Sequence, residues 1–131
     1  MRLNQVTMPC TNVAESVEFY AKLGLIQIVA SEHYARFVCP DGDTTLSIHV
    51  VDEVADGAAP VVYFECDNLD VTVAELEAAG IVFDSQPEDQ RWLWREARLH
   101  DPAGNEVCLY HAGENRLNPP WRISPPDSFA P

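Results

Sequence analysis

Positive charge is scarce in this chain. Its 8 Lys and Arg residues stand against 21 Asp and Glu, a formal net charge of 8 − 21 = −13 at pH 7. A surface this acidic repels phosphate backbones and anionic headgroups, which excludes non-specific binding to nucleic acid or to a membrane surface. Long apolar runs are also missing: no stretch approaches the roughly 20 residues that cross a bilayer. The first residues, Met1-Arg2-Leu3-Asn4-Gln5, lack the charged-then-apolar layout of a signal peptide, so the cytoplasm is the expected compartment. Cysteine pairs at metal or redox spacing are absent as well. Cys10, Cys39, Cys66 and Cys108 stand far apart without a C-x-x-C, and buried reduced thiols are expected.

What remains, 131 residues of which 47% are hydrophobic, fits one globular domain. Inside it lies a repeat. A shift of 56 residues places Val6 on Val62, Asn12 on Asn68, Val17 on Val73, Tyr20 on Leu76, Gly24 on Gly80 and Leu25 on Ile81. In the first copy Asn12 caps a helix and Glu15 completes a capping box. Val13, Val17 and Tyr20 then recur on one face, and Gly24 ends the helix. In the second copy Leu69, Val73 and Leu76 repeat that spacing between Asn68 and Gly80.

Strand-like runs precede each helix, Leu3 to Met8 and Pro60 to Cys66. Ile26 to Ala30, Tyr34 to Val38 and Thr44 to Val51 follow the first helix; Ile81 to Asp84, Trp92 to Leu99 and Glu106 to His111 follow the second. The turns are Pro40-Asp41-Gly42-Asp43 and Asp101-Pro102-Ala103-Gly104-Asn105. The unit is β-α-β-β-β, used twice. Along the fourth run Leu46, Ile48 and Val50 form an apolar stripe for the helix, while Thr45, Ser47 and His49 point to the other side. Tyr63 and Glu65 belong to that second side in the other unit, and Glu96 and Arg98 share it because Ala97 and Leu99 form the apolar stripe of their strand.

The segments Asn12-Val13-Ala14-Glu15-Ser16-Val17-Glu18-Phe19-Tyr20 with Leu23-Gly24-Leu25, Asp67-Asn68-Leu69-Asp70 running into Gly80, and Asp101-Pro102-Ala103-Gly104-Asn105 resemble the vicinal oxygen chelate superfamily over about residues 3 to 112. That superfamily contains glyoxalase I, bleomycin-resistance proteins and extradiol dioxygenases. The resemblance implies an α+β fold: two β-α-β-β-β modules in tandem (about 1–55 and 58–112) forming an incomplete barrel around a pocket, the glyoxalase-like fold. A proline-rich arm, 113–131, would follow. It implies a small-molecule ligand or substrate and a homodimer. In enzymatic relatives it also implies one divalent metal (Zn, Ni, Mn or Fe) serving lyase, isomerase or dioxygenase chemistry as a Lewis acid.

The superfamily's four ligand positions fall here on Gln5, Ser47, Val61 and Cys108. Gln can ligate through its carbonyl, Val cannot ligate at all, and Cys108 stands where an acidic ligand is usual. A displaced set is the alternative. Gln5, His49 and Glu65 are the candidate metal ligands, with His49, Glu65, Tyr63 and Tyr110 as catalytic candidates for base and proton-donor duty. Trp92, Trp94, Glu96, Arg98 and Cys108 are candidate substrate contacts, since arginines interleaved with tryptophans attract an anionic or aromatic molecule. Each has a structural alternative: His49 satisfying a hydrogen bond, Glu65 bridging to Arg98 or Arg95, the strand arginines pairing with local acids. The function is therefore open between metal-assisted turnover and metal-free binding or sequestration. The proline-rich arm is expected to run extended and to dock Trp121 on the domain or across a dimer, with Phe129 a further anchor.

Overall fold

The computed structural model describes residues 1–55, 57 and 59–123. The chain runs β1 (Gln5–Cys10), α1 (Val13–Lys22), β2 (Ile26–Ala30), β3 (Tyr34–Val38) and β4 (Thr45–Val50). It then repeats as β5 (Val62–Glu65), α2 (Leu69–Ala78), β6 (Glu88–Asp89), β7 (Arg95–His100) and β8 (Glu106–His111), and ends in a 3-10 turn at Gly113–Arg116. The sequence repeat is thus a repeat in space. One sheet has the order β1-β4-β3-β2 and the other β5-β8-β7-β6, with the first strand of each unit parallel to the last. The fold is α+β in two tandem modules and forms no closed barrel: among the described residues β1 and β5 each keep one edge without a partner strand.

Local chemistry explains the repeated helices. Asn12 and Asn68 stay extended, and their side-chain oxygens accept from the N–H groups of Glu15 and Val71 at 3.1 and 3.3 Å. The box expected at Asn12–Glu15 is half made, because only the Asn12 side chain bonds across it among the described residues. Both helices stop at a glycine in the left-handed region, Gly24 at φ 99° and Gly80 at φ 95°.

One hydrophobic core runs through both modules. Phe19, Tyr20, Phe37, Leu46 and Ile48 belong to it from the first, Leu69, Val73, Leu99, Val107 and Leu109 from the second. Burying each such side chain contributes about 1.5–3 kcal/mol. Two polar bonds lock the modules together. The Tyr20 hydroxyl donates to Asp101 Oδ2 at 2.7 Å, and the Asn105 amide donates to the Pro9 carbonyl at 2.8 Å. Asp101 is buried and also accepts from the N–H groups of Ala103 and Asn105, so the turn of one module is tied to the helix of the other.

Three expectations about the strands and one about the arm are corrected. The first strands begin two residues late, at Gln5 and Val62, because the apolar alternation there outlasts the pairing with β4 and β8. Ile81 to Asp84 is no strand: Ile81 drops into the core, Asp84 and Ser85 donate their N–H groups to the Arg98 carbonyl at 2.8 and 3.3 Å, and the sheet edge is the short β6. Trp92 to Trp94 lie outside β7. Gln90 N–H reaches the Trp94 carbonyl at 2.7 Å across a tight turn that holds Leu93 at φ 68°. In the arm, Trp121 and Ile123 are exposed, so neither docks on its own domain; Phe129 and Pro125-Pro126 lie outside the described residues. No helix among the described residues is long and apolar enough to cross a membrane.

Candidate functional site

Each sheet covers its helix with one face and leaves the other face polar. Period-two alternation puts Tyr63 and Glu65 of β5, Cys108 and Tyr110 of β8, and Glu96 and Arg98 of β7 on the helix-free face of the second sheet. The register pairs Tyr63 with Cys108, Glu65 with Tyr110, and Arg98 with Cys108. Trp94 stacks on Tyr110 with ring centroids 4.7 Å apart, and Tyr63 meets both rings edge-on at 5.9 and 5.6 Å. The sequence candidates of this module are therefore brought together, around an aromatic trio.

The charged groups beside the trio already have partners. Arg98 donates to Glu96 at 3.0 Å, to Glu106 at 2.8 Å and to the Tyr63 hydroxyl at 3.0 Å. Glu96 is buried and also accepts from Trp92 Nε1 at 2.8 Å. Its two acidic neighbours hold the Arg98 guanidinium well above its ordinary pKa, the Glu106 hydrogen bond most strongly. Glu65 bridges to neither arginine named for it. Its carboxylate accepts the N–H groups of Ala112 and Gly113 at 2.8 and 2.9 Å and so anchors the 3-10 turn, with Arg116 at 3.9 Å. Burial pushes that carboxyl up, but the two backbone donors, then His111 and Arg116, outweigh it and leave the pKa lowered. Arg95 pairs with Asp70 and Asp89, both at 3.0 Å.

On the helix-free face of the first sheet lie Gln5, Thr45, Ser47, His49, Tyr34 and Arg36. Gln5 Nε2 donates to Ser47 Oγ at 2.5 Å, its carbonyl side meets Thr45, and Ser47 Oγ lies 2.6 Å from the Tyr34 hydroxyl. Arg36 Nε donates to that same hydroxyl at 2.9 Å. The Ser47 hydrogen bond above all, and Arg36 after it, lower the Tyr34 pKa against an opposing push from burial. His49 is exposed, opposite Tyr34 and Pro9 in the ladder. Tyr34, Arg36 and Thr45 were missed as site residues, although the alternation Tyr34-Arg36-Val38 beside Thr45-Ser47-His49 was there to be read.

The metal implied by the resemblance does not suit these residues. The Gln5 amide is committed to Ser47 and Thr45, and Val61 packs against the buried cluster of Cys108, Tyr110 and Ala112. Burial first, and the nearby Glu96 second, push the Cys108 thiol up to about 12, so it keeps its proton at neutral pH. The displaced set does not converge in one chain either. Gln5 and His49 are four ladder positions apart, about 13 Å along the strand, and Glu65 stands in the other sheet with its Oε2 on two backbone amides. Among the described residues no side-chain hydrogen bond, ion pair or aromatic contact joins the two helix-free faces.

A cavity of about 600 Å³ does lie between the modules. It follows the free edge of β5, with Cys39 and Thr44 of the first module on one side and Tyr63, Glu65, Asn68 and Thr72 on the other. Its size suits a small ligand. Of the candidate residues it meets Tyr63 and Glu65; the half-buried Trp94 and the buried Tyr110 lie beyond it.

Known proteins agree with this architecture. A glyoxalase/bleomycin resistance protein/dioxygenase from Nocardioides superposes with a TM-score of 0.73 at 21% identity, covering 95% of this chain and 90% of its own. A lactoylglutathione lyase from Agrobacterium tumefaciens gives 0.72 at 18%, covering 89% and 96%. A bleomycin-binding protein in complex with bleomycin gives 0.68 at 18%, covering 85% and 98%. No curated protein matches the chain. The family model for the Glyoxalase/Bleomycin resistance protein/Dioxygenase superfamily matches residues 2–109, and the chain belongs to that superfamily.

Proposed function

We propose that this protein binds a small planar organic molecule without turning it over, and that the exposed Tyr63 and the half-buried Trp94, backed by the buried Tyr110 ring, form the surface that receives it. The observation behind this reading is the aromatic trio beside an Arg98–Glu96–Glu106 network in which two carboxylates already hold the one guanidinium. Glu65 and Glu96 are held by hydrogen bonds and Cys108 is protonated, so none of the three is poised as a base or nucleophile. A structural relative that binds bleomycin fits the same reading. Two copies would bury what one leaves open, since β1 and β5 both have a free edge. A homodimer pairing the face of one copy with the other's second face would enclose the trio.

The test is calorimetric titration with 2-naphthol, a neutral planar probe, and with bleomycin, alongside elemental analysis of protein purified without chelators. Saturable naphthol binding that Trp94→Ala abolishes supports the reading. Stoichiometric metal that disappears in His49→Ala and Glu65→Gln would overturn it in favour of metal-assisted chemistry. Light scattering reports the dimer, and a monomer at the titration concentration would remove the cover assumed here.

A further inference from the structure

The two modules place an arginine at the same point of their sheets. Arg36 pairs with Ser47 and Arg98 with Cys108 in the two ladders, and Ser47 and Cys108 are themselves equivalent, facing Thr7 and Tyr63. Around Arg98 the neighbouring positions hold two carboxylates, Glu96 and Glu106, and both bind it. The matching positions around Arg36 hold Tyr34 and Thr45, which are uncharged. Arg36 has no carboxylate within ion-pair distance among the described residues, in a chain with 21 acids and 8 bases.

The guanidinium is nevertheless held in place. It is half-buried, its Nε is bound to the Tyr34 hydroxyl at 2.9 Å, and its carbon sits 5.4 Å from the Tyr34 ring centroid. With Nε occupied, Nη1 and Nη2 remain as a parallel pair of donors, and no described residue accepts from them. Such a fork matches the two oxygens of one carboxylate. The Tyr34 hydroxyl is itself fixed, 2.6 Å from Ser47 Oγ, which is fully buried and accepts from Gln5. A half-buried cation without a counter-ion costs free energy that an arriving anion recovers.

We infer that Arg36, oriented by Tyr34 and the buried Ser47 behind it, binds the carboxylate of a small organic acid. This rests on the reading of the chain as a small-molecule binder and names the class of ligand: a planar body with one carboxylate. The probes are benzoate and benzamide, which share a ring and a shape and differ in charge. Titrated into the intact protein, benzoate is expected to bind at least about tenfold more tightly than benzamide, the scale of one charged hydrogen-bonded pair. Arg36→Gln is expected to bring benzoate down to benzamide and to leave benzamide unchanged. Arg36→Lys, which keeps the charge and loses the fork, should fall between them and serves if the glutamine variant does not fold. Equal affinities in the wild type, an unchanged preference in the variants, or no binding of either probe would each overturn the carboxylate site. Benzamide or naphthol binding that survives such a result would leave the planar-ligand reading standing; loss of both would remove that reading too.

Discussion

Arg36 and Arg98 occupy one position in two copies of one fold unit, and they live in opposite surroundings. Arg98 is enclosed by Glu96, Glu106 and Tyr63, whereas among the described residues Arg36 hydrogen-bonds only a phenol and leaves its forked end unused. The same division recurs in the turns. Asp101 is buried at the junction of the modules with four donors on its oxygens, whereas Asp41 of the corresponding first turn is exposed. A duplicated backbone thus fixes where side chains point, and the identity of two or three neighbours decides whether a charge serves the fold or remains available to a ligand.

The turns offer the largest test. Asp101→Ala leaves the buried Tyr20 hydroxyl and the Ala103 and Asn105 backbone N–H groups without their acceptor, and a loss of about 3–5 kcal/mol is expected from urea unfolding. Asp41→Ala should stay within about 0.5 kcal/mol, as exposed substitutions do. Equal costs would break the comparison. Next come the arginines: Arg98→Ala strands the buried Glu96 with one remaining donor and should cost about 2–3 kcal/mol, less than a fully buried pair because Arg98 is partly solvated. Arg36→Ala should cost under about 1 kcal/mol, since it removes one hydrogen bond to a hydroxyl.

The smallest effect concerns Glu65. Its folded pKa lies below the ordinary carboxylate value, so it stabilises the fold above about pH 4.3, and this contribution is lost as pH falls through the lower folded value. Wild type should therefore lose more stability than Glu65→Gln between about pH 5 and pH 3. Parallel curves would show that the Ala112 and Gly113 contacts do not hold the turn.

Much of the fold was legible because it rests on local signals. The asparagine caps, the terminal glycines, the apolar face of each helix and the last strand, Glu106 to His111, all follow from neighbours in sequence. The β6 edge was not, since Glu88 and Asp89 have no strand preference and are held only by pairing with Glu96 and Arg95. The candidate site was legible as a set of facing residues, which alternation reveals. It was not legible as a set of partners. Nothing near Glu65 in sequence announces the amides of Ala112 and Gly113, and nothing near Arg36 announces that its equivalent has two acids where it has none.

The most direct measurement of this contrast is the rise in unfolding temperature produced by saturating benzoate in wild type, Arg36→Gln and Arg98→Gln. A ligand that binds only the folded state raises stability in proportion to its affinity. Benzoate should stabilise wild type and Arg98→Gln, even though the latter starts from a lower midpoint, and should leave Arg36→Gln unmoved. A benzoate shift that persists without Arg36 would contradict the assignment of the free arginine to the ligand.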